Sequence, residues 1–272
     1  MRRVSIVIAL TLFAAVSLHA QEHDHAGSRS TSGALRKNAT PNFEVSVSRG
    51  KKLSLGNDAS GYLSLPSGKG KHPAIIVIQE WWGMNEWILQ QTDRFASQGY
   101  VALAVDLYRG KATSDPEVAH ELMRGMPEDR AMSDLKTGFN YLAARDDVDA
   151  SRIGVIGWCM GGGYSLALAT VEPRVAATVM NYGRLVTDPA TIAKIESPLL
   201  GNFGALDRGI PPADVSAFDA AMRKAGKSSD VKVYDGAGHG FMNPNNKDGY
   251  VAGAAKDAWA RIDSFFAKRL QP

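Results

Sequence analysis

Cysteine is almost missing from this 272-residue chain, in which Cys159 is the one instance. A lone thiol closes no internal disulfide and builds no multi-thiolate metal cage. A surplus of one charge is missing too, since 31 Lys and Arg face 28 Asp and Glu for a net +3. So near-neutral a chain offers no basic stripe to nucleic acid. Apolar runs long enough to span a bilayer are absent from the body of the chain. Charged residues make up only 22%, and five Trp, eight Tyr and nine Phe argue against intrinsic disorder. The length suits one large α/β domain or two small ones, and either buries a real core.

Met1-Arg2-Arg3, an apolar run from Val4 to Leu18 and a small residue at Ala20 read as a secretory signal peptide over residues 1–20. The run is short for a membrane anchor, which is the alternative. Export to the periplasm or the medium is the expectation, with no stable membrane insertion after cleavage. Residues 21–40 are rich in His, Ser, Gly and Ala and read as a flexible lead-in, with His23 and His25 as weak metal-binding candidates.

Beyond residue 40, strand and helix patterns alternate. Phe43–Val47 and Gly61–Leu65 are expected as short strands about a polar turn at Gly56-Asn57-Asp58. The runs 74–78, 100–105, 152–156, 175–180, 198–203 and 230–234 read as strands, the first of them apolar throughout and so buried on both faces. Helical spacing covers 88–97, 127–145, 161–170, 211–225 and 254–270, with Leu135, Phe139 and Leu142 on one face of the second. With no repeat and no linker, residues 41–272 read as a single α/β domain with a mostly parallel central sheet and helices on both faces.

Cys159 sits in Gly157-Trp158-Cys159-Met160-Gly161, between a strand and a helix. This is the nucleophile-elbow pattern with Cys in place of Ser. Its glycines let backbone pass close to a strained turn, and the helix start favours a thiolate and offers N–H groups to an oxyanion. Of six histidines, His239 alone lies in a loop after the last expected strand, where open α/β sheets carry their sites. The carboxylate that orients it should fall between the two in sequence. Asp207, in a loop after a strand, is preferred, with Asp235 and Asp188 as competitors. Glu80 ends a buried strand among Gln79, Trp81 and Trp82, and such apolar company should raise its pKa.

Gln79-Glu80-Trp81-Trp82-Gly83, Asp106-Leu107-Tyr108, the Cys159 elbow, Phe203-Gly204 with Asp207, and Gly238-His239 with Phe241 occur in that order. Together they resemble the dienelactone hydrolase family, carboxymethylenebutenolidase-like enzymes of the α/β-hydrolase fold. The resemblance implies Cys159 as nucleophile, His239 as base, Asp207 as its partner and Glu80 as a group that helps activate the thiol. It also implies an oxyanion hole from the backbone N–H groups of Trp81 and Met160. Where the best-known members carry a carboxylate-binding Arg, this chain has Asn243, which cannot form a bidentate ion pair. Dienelactone itself is therefore not expected as the natural substrate. Trp82, Phe241, Asn243 and Arg124 are the candidate substrate contacts, with Arg130 a further source of charge and Trp87 a third member of an aromatic lining.

The expected activity is hydrolysis of activated esters or lactones through a thioester, by a monomer. No cofactor or metal is required, because Gly161-Gly162-Gly163 lacks the Lys-Ser/Thr of a phosphate loop. Two rival classes remain: a thiol-based redox protein, which would lack a second Cys to resolve a sulfenic acid, and a non-catalytic binding protein on the same fold.

Overall fold

A computed structural model describes residues 50–271. The expected strand Phe43–Val47, the signal segment, the lead-in and its His23 and His25 lie outside the described residues.

Among the described residues eight strands form one sheet in the order β1-β2-β4-β3-β5-β6-β7-β8. The first two are β1 (Lys51–Gly56) and β2 (Ala59–Ser64), an antiparallel hairpin. Asn57 and Asp58 turn it at φ 51° and 59°, the positive values that a two-residue hairpin loop demands. The turn is where the sequence puts it, but β2's hairpin partner is β1. Lys51 and Lys52 hide that strand from a hydrophobic scan, because an edge strand needs only the half-buried Leu53 and Leu55 on its inner face. β2 also pairs antiparallel with β4 (Val101–Val105).

The remaining strands run parallel: β3 (His72–Ile78), β5 (Val148–Trp158), β6 (Ala177–Asn181), β7 (Leu199–Gly204) and β8 (Ser229–Tyr234). Ala74 to Ile78 are wholly buried because alternate residues meet different layers. Ile75 and Val77 pack with Trp87, Ile88 and Phe95 of α1 (Glu86–Ser97) and Ile262 and Phe266 of α7 (Ala252–Leu270). Ala74, Ile76 and Ile78 pack instead with Leu135, Phe139 and Leu142 of α3 (Glu128–Ala143), which follows the short α2 (Pro116–Arg124). On that second side α4 (Met160–Val171), α5 (Pro189–Ile192) and α6 (Pro212–Lys224) build a further cluster around Met180 and Phe203. Trp87 is thus core, against Trp158 at 5.1 Å, and not part of an aromatic lining.

The short α5 escapes hydrophobic periodicity, being four residues long. Asp188 caps it, accepting from Thr191 N at 2.9 Å, which accounts for that carboxylate without a catalytic role. The carboxyl ends of the parallel strands share one edge of the sheet, where Ile78 lies beside Gly157, Trp158 beside Asn181, and Gly204 beside Tyr234.

Candidate active site

Cys159 follows β5 directly and precedes the first residue of α4. Its backbone stands at φ 55°, ψ −120°, a conformation that an L residue adopts at a cost of about 1–3 kcal/mol and keeps only when its surroundings fix it. Here they do. Cys159 N donates to Asn181 O at 3.0 Å, and Cys159 O accepts from Gly162 N at 3.0 Å. Asn181 Nδ2 donates to Gly157 O at 3.0 Å, so one asparagine grips both sides of the elbow. A Cβ on Gly157 would lie 2.0 Å from Gly161 O, and one on Gly161 would lie 2.5 Å from Ile78 O. Gly183, just after β6, is constrained in the same way, since its Cβ would fall 2.2 Å from Gly162 C.

His239 Nδ1 and Asp207 Oδ2 are 2.7 Å apart. The aspartate is 4% exposed, and its other oxygen accepts from Gly209 N at 2.9 Å and Ile210 N at 3.1 Å. Burial alone would raise the Asp207 pKa, but the bond to His239 and these backbone donors hold it below the ordinary value. Burial likewise opposes charge on His239. The bond to Asp207 and the influence of the Cys159 sulfur outweigh it and raise the imidazole to about 10. The side chain is 44% exposed, so water screens part of that effect. Asp235, the competing carboxylate, is exposed on the turn after β8.

Glu80 follows β3 and is 3% exposed. Burial raises its pKa to about 7, against the opposing pull of Asn243, His239 and Tyr182. Asn243 Nδ2 donates to Glu80 Oε2 at 2.7 Å, and Asn243 is itself 3% exposed. Tyr182, after β6 at φ 38°, is fully buried. Its ring stands edge-on to His239 at 5.2 Å and to Phe241 at 5.5 Å. The hydroxyl makes no hydrogen bond of ordinary geometry, yet burial raises its pKa and the charges of Glu80 and Cys159 push it further.

Cys159, His239 and Glu80 open on a cleft of about 1330 Å³. Trp81 and Trp82, with rings 4.7 Å apart, form part of its wall, along with Met160 and Tyr164. Met160 N–H, at the start of α4, is among the donors a helix leaves unpaired. Other expected contacts fall elsewhere. Phe241 is wholly buried against Tyr182 and Tyr234, because the loop turns its ring inward to close the core. Arg124, the last residue of α2, is exposed and does not line the cleft, although its neighbour Met123 does. Arg130 donates to Leu107 O at 3.2 Å and is absent from the cleft wall as well. The arginine that does border Cys159 is Arg184, on the cleft and on a second pocket of about 590 Å³. Tyr182, Gly183 and Arg184 belong to no motif that the sequence announces. The signal was their position: Asn181-Tyr182-Gly183-Arg184 ends the strand next to the elbow strand.

The dienelactone hydrolase family profile matches residues 59–270. The chain belongs to that family. A Methylorubrum extorquens protein named "Putative carboxymethylenebutenolidase" is 34% identical over 219 residues, 75% of each chain. One of the same name from Salmonella typhimurium is 32% identical over 244 residues, 84% of this chain and 90% of that one. A Klebsiella pneumoniae structure named "Putative Dienelactone Hydrolase" superposes with TM-score 0.73 at 29% identity, covering 80% of this chain and 98% of the other. A dienelactone hydrolase-like promiscuous phosphotriesterase from metagenomic libraries gives TM-score 0.73 at 25% identity, over 81% and 97%. The α/β-hydrolase fold and the ester hydrolase class expected from the sequence agree with these relatives. Among the described residues no helix is long and apolar enough to cross a membrane.

Proposed function

We propose that this hydrolase cleaves activated carboxylic esters or lactones through a thioester on Cys159. The observation that carries the reading is the strained elbow thiol that shares its cleft with His239, itself bonded to buried Asp207. The Cys159 thiolate attacks the carbonyl carbon, and the oxyanion sits against the backbone N–H groups of Trp81 and Met160. As the tetrahedral species collapses, the imidazolium of His239 gives its proton to the departing alkoxide. Neutral His239 then takes a proton from water, whose oxygen attacks the thioester. Collapse releases the carboxylic acid and returns the thiolate beside a protonated imidazole. A thiolate is itself a good leaving group, so strongly basic alkoxides and amines lose the partition. Enol esters, aryl esters and lactones are the substrates this favours.

Hydrolysis of p-nitrophenyl acetate and a lactone panel, with Cys159→Ala and His239→Ala alongside, tests the mechanism. Each substitution should reduce kcat/KM by at least about a thousandfold, and wild-type rates in Cys159→Ala would overturn it. The N-terminal pattern further supports export, which N-terminal sequencing of the exported protein checks by finding Gln21 first.

A further inference from the structure

Asn243 is buried beside the cleft, and its amide is already committed. Its Oδ1 accepts from Asn245 N at 2.9 Å, and its Nδ2 donates to Glu80 Oε2 at 2.7 Å. The backbone donor fixes which way the amide points, because a flipped amide would set N–H against N–H. Glu80 Oε2 is thereby held as an acceptor. A proton on the carboxyl has one remaining seat, Oε1.

We propose that Asn243 is a positioning residue for Glu80, which it holds in one orientation beside the nucleophile without supplying the positive charge that would ionise the buried carboxyl. Three observations converge on this. Glu80 and Asn243 are each 3% exposed, so an ionised carboxylate there would be poorly hydrated, and the partner bonded to it directly is a neutral amide and not a cation. The groups acting on Glu80 from the packed elements are Asn243 and His239 of the loop after β8, and Tyr182 after β6. Cys159, at the start of α4, lines the same cleft. Finally, the Tyr182 hydroxyl is buried without an ordinary hydrogen-bond partner and is coupled to both Glu80 and Cys159, which makes it the neighbour able to exchange a hydrogen bond as that proton comes and goes. A neutral Glu80 adds no negative charge next to the thiolate or the oxyanion. An arginine at 243 would instead ionise Glu80 and make an internal ion pair.

Only the catalytic consequence rests on the hydrolase reading. The protonation state does not, and infrared difference titration of the intact protein reads it without turnover. The protonated-carboxyl band assigned to Glu80 by its loss in Glu80→Gln should titrate near neutral pH. Asn243→Arg should lower its midpoint by about 1–3 pH units. Asn243→Asp, adding a negative neighbour, should raise it. In pH profiles of kcat/KM the limb lost in Glu80→Gln should shift with the infrared midpoint in both Asn243 variants, whereas a merely structural role would scale the rate equally at every pH. A band absent near neutrality in the wild type, or a midpoint indifferent to both Asn243 substitutions, would overturn the proposal. Failure of Cys159→Ala to abolish esterase activity would instead overturn the mechanism and leave the titration standing.

Discussion

Glu80 couples the chemistry of one side chain to the stability of the fold. In the unfolded chain its carboxyl titrates near its ordinary 4.5, while in the native state burial holds the proton up to about 7. Between those values the native state binds more protons, so stability falls as pH rises, by roughly 3 kcal/mol as an upper bound. Glu80→Gln should remove that decline. Urea denaturation at pH 4.5 and pH 7.5 checks it, through a smaller pH dependence of unfolding free energy in the variant than in the wild type. For Asp207 the sign reverses: a depressed pKa stabilises above the ordinary 3.8 and is lost as pH falls through the folded value. Asp207→Asn should lower kcat about a hundred- to ten-thousand-fold, whereas Asp235→Asn should stay within a few-fold of wild type in the same ester assay. Cys159 and His239 were legible in the sequence because both residue types are scarce and each adjoins a strand end. Tyr182 was not, since most tyrosines only pack or cap, and nothing in the chain's order reveals that this hydroxyl is buried next to Glu80. Phe241 misled for a related reason: a motif gives a residue's place in a loop but not the direction of its ring.

The elbow, its helix and the loop after β6 work as one element because three backbones meet without side chains between them. Gly183→Ala would drive a Cβ to 2.2 Å from Gly162 C and Gly163 N, neither of which is a flexible side-chain end. Thermal unfolding should drop by several degrees or more, with esterase activity falling further than the loss of folded protein explains. Gly253→Ala, inside α7 with nothing within 4 Å of the new Cβ, is the contrasting case and should hold or slightly raise the midpoint. Asn181 joins the same frame through Gly157 O, and its Oδ1 also accepts from Asn202 Nδ2 at 2.8 Å. The inner parallel strands were legible because both their faces are covered and they read as largely apolar runs, and the edge strand β8 because its residues alternate. β1 was not, since it is half solvated and lysine-led, and the glycine at 183 has no motif to announce it.

At the scale of the whole molecule, the cleft runs along α4, whose Met160, Gly163, Tyr164, Ala167 and Thr170 line it. The ten residue steps from Met160 to Thr170 rise about 15 Å, far more than acetate needs. Lengthening the acyl chain of p-nitrophenyl esters should therefore hold or raise kcat/KM, and Ala167→Trp should restrict that tolerance to short chains; rates across a chain-length series check both. That depth was beyond sequence reading, because walls contributed by α4, the Arg184 loop and the 243–248 loop adjoin only in three dimensions. The strand ends impose one more condition. Glu80, Cys159, Tyr182, Asp207 and His239 follow β3, β5, β6, β7 and β8 in turn, so the candidate site spans most of the chain and has no local nucleus of its own. During refolding it comes into being only when the last parallel strand docks, a slow, non-local event. Enzyme activity is then a late clock of folding: it should return after helical signal, and no fragment ending before β8 should show any.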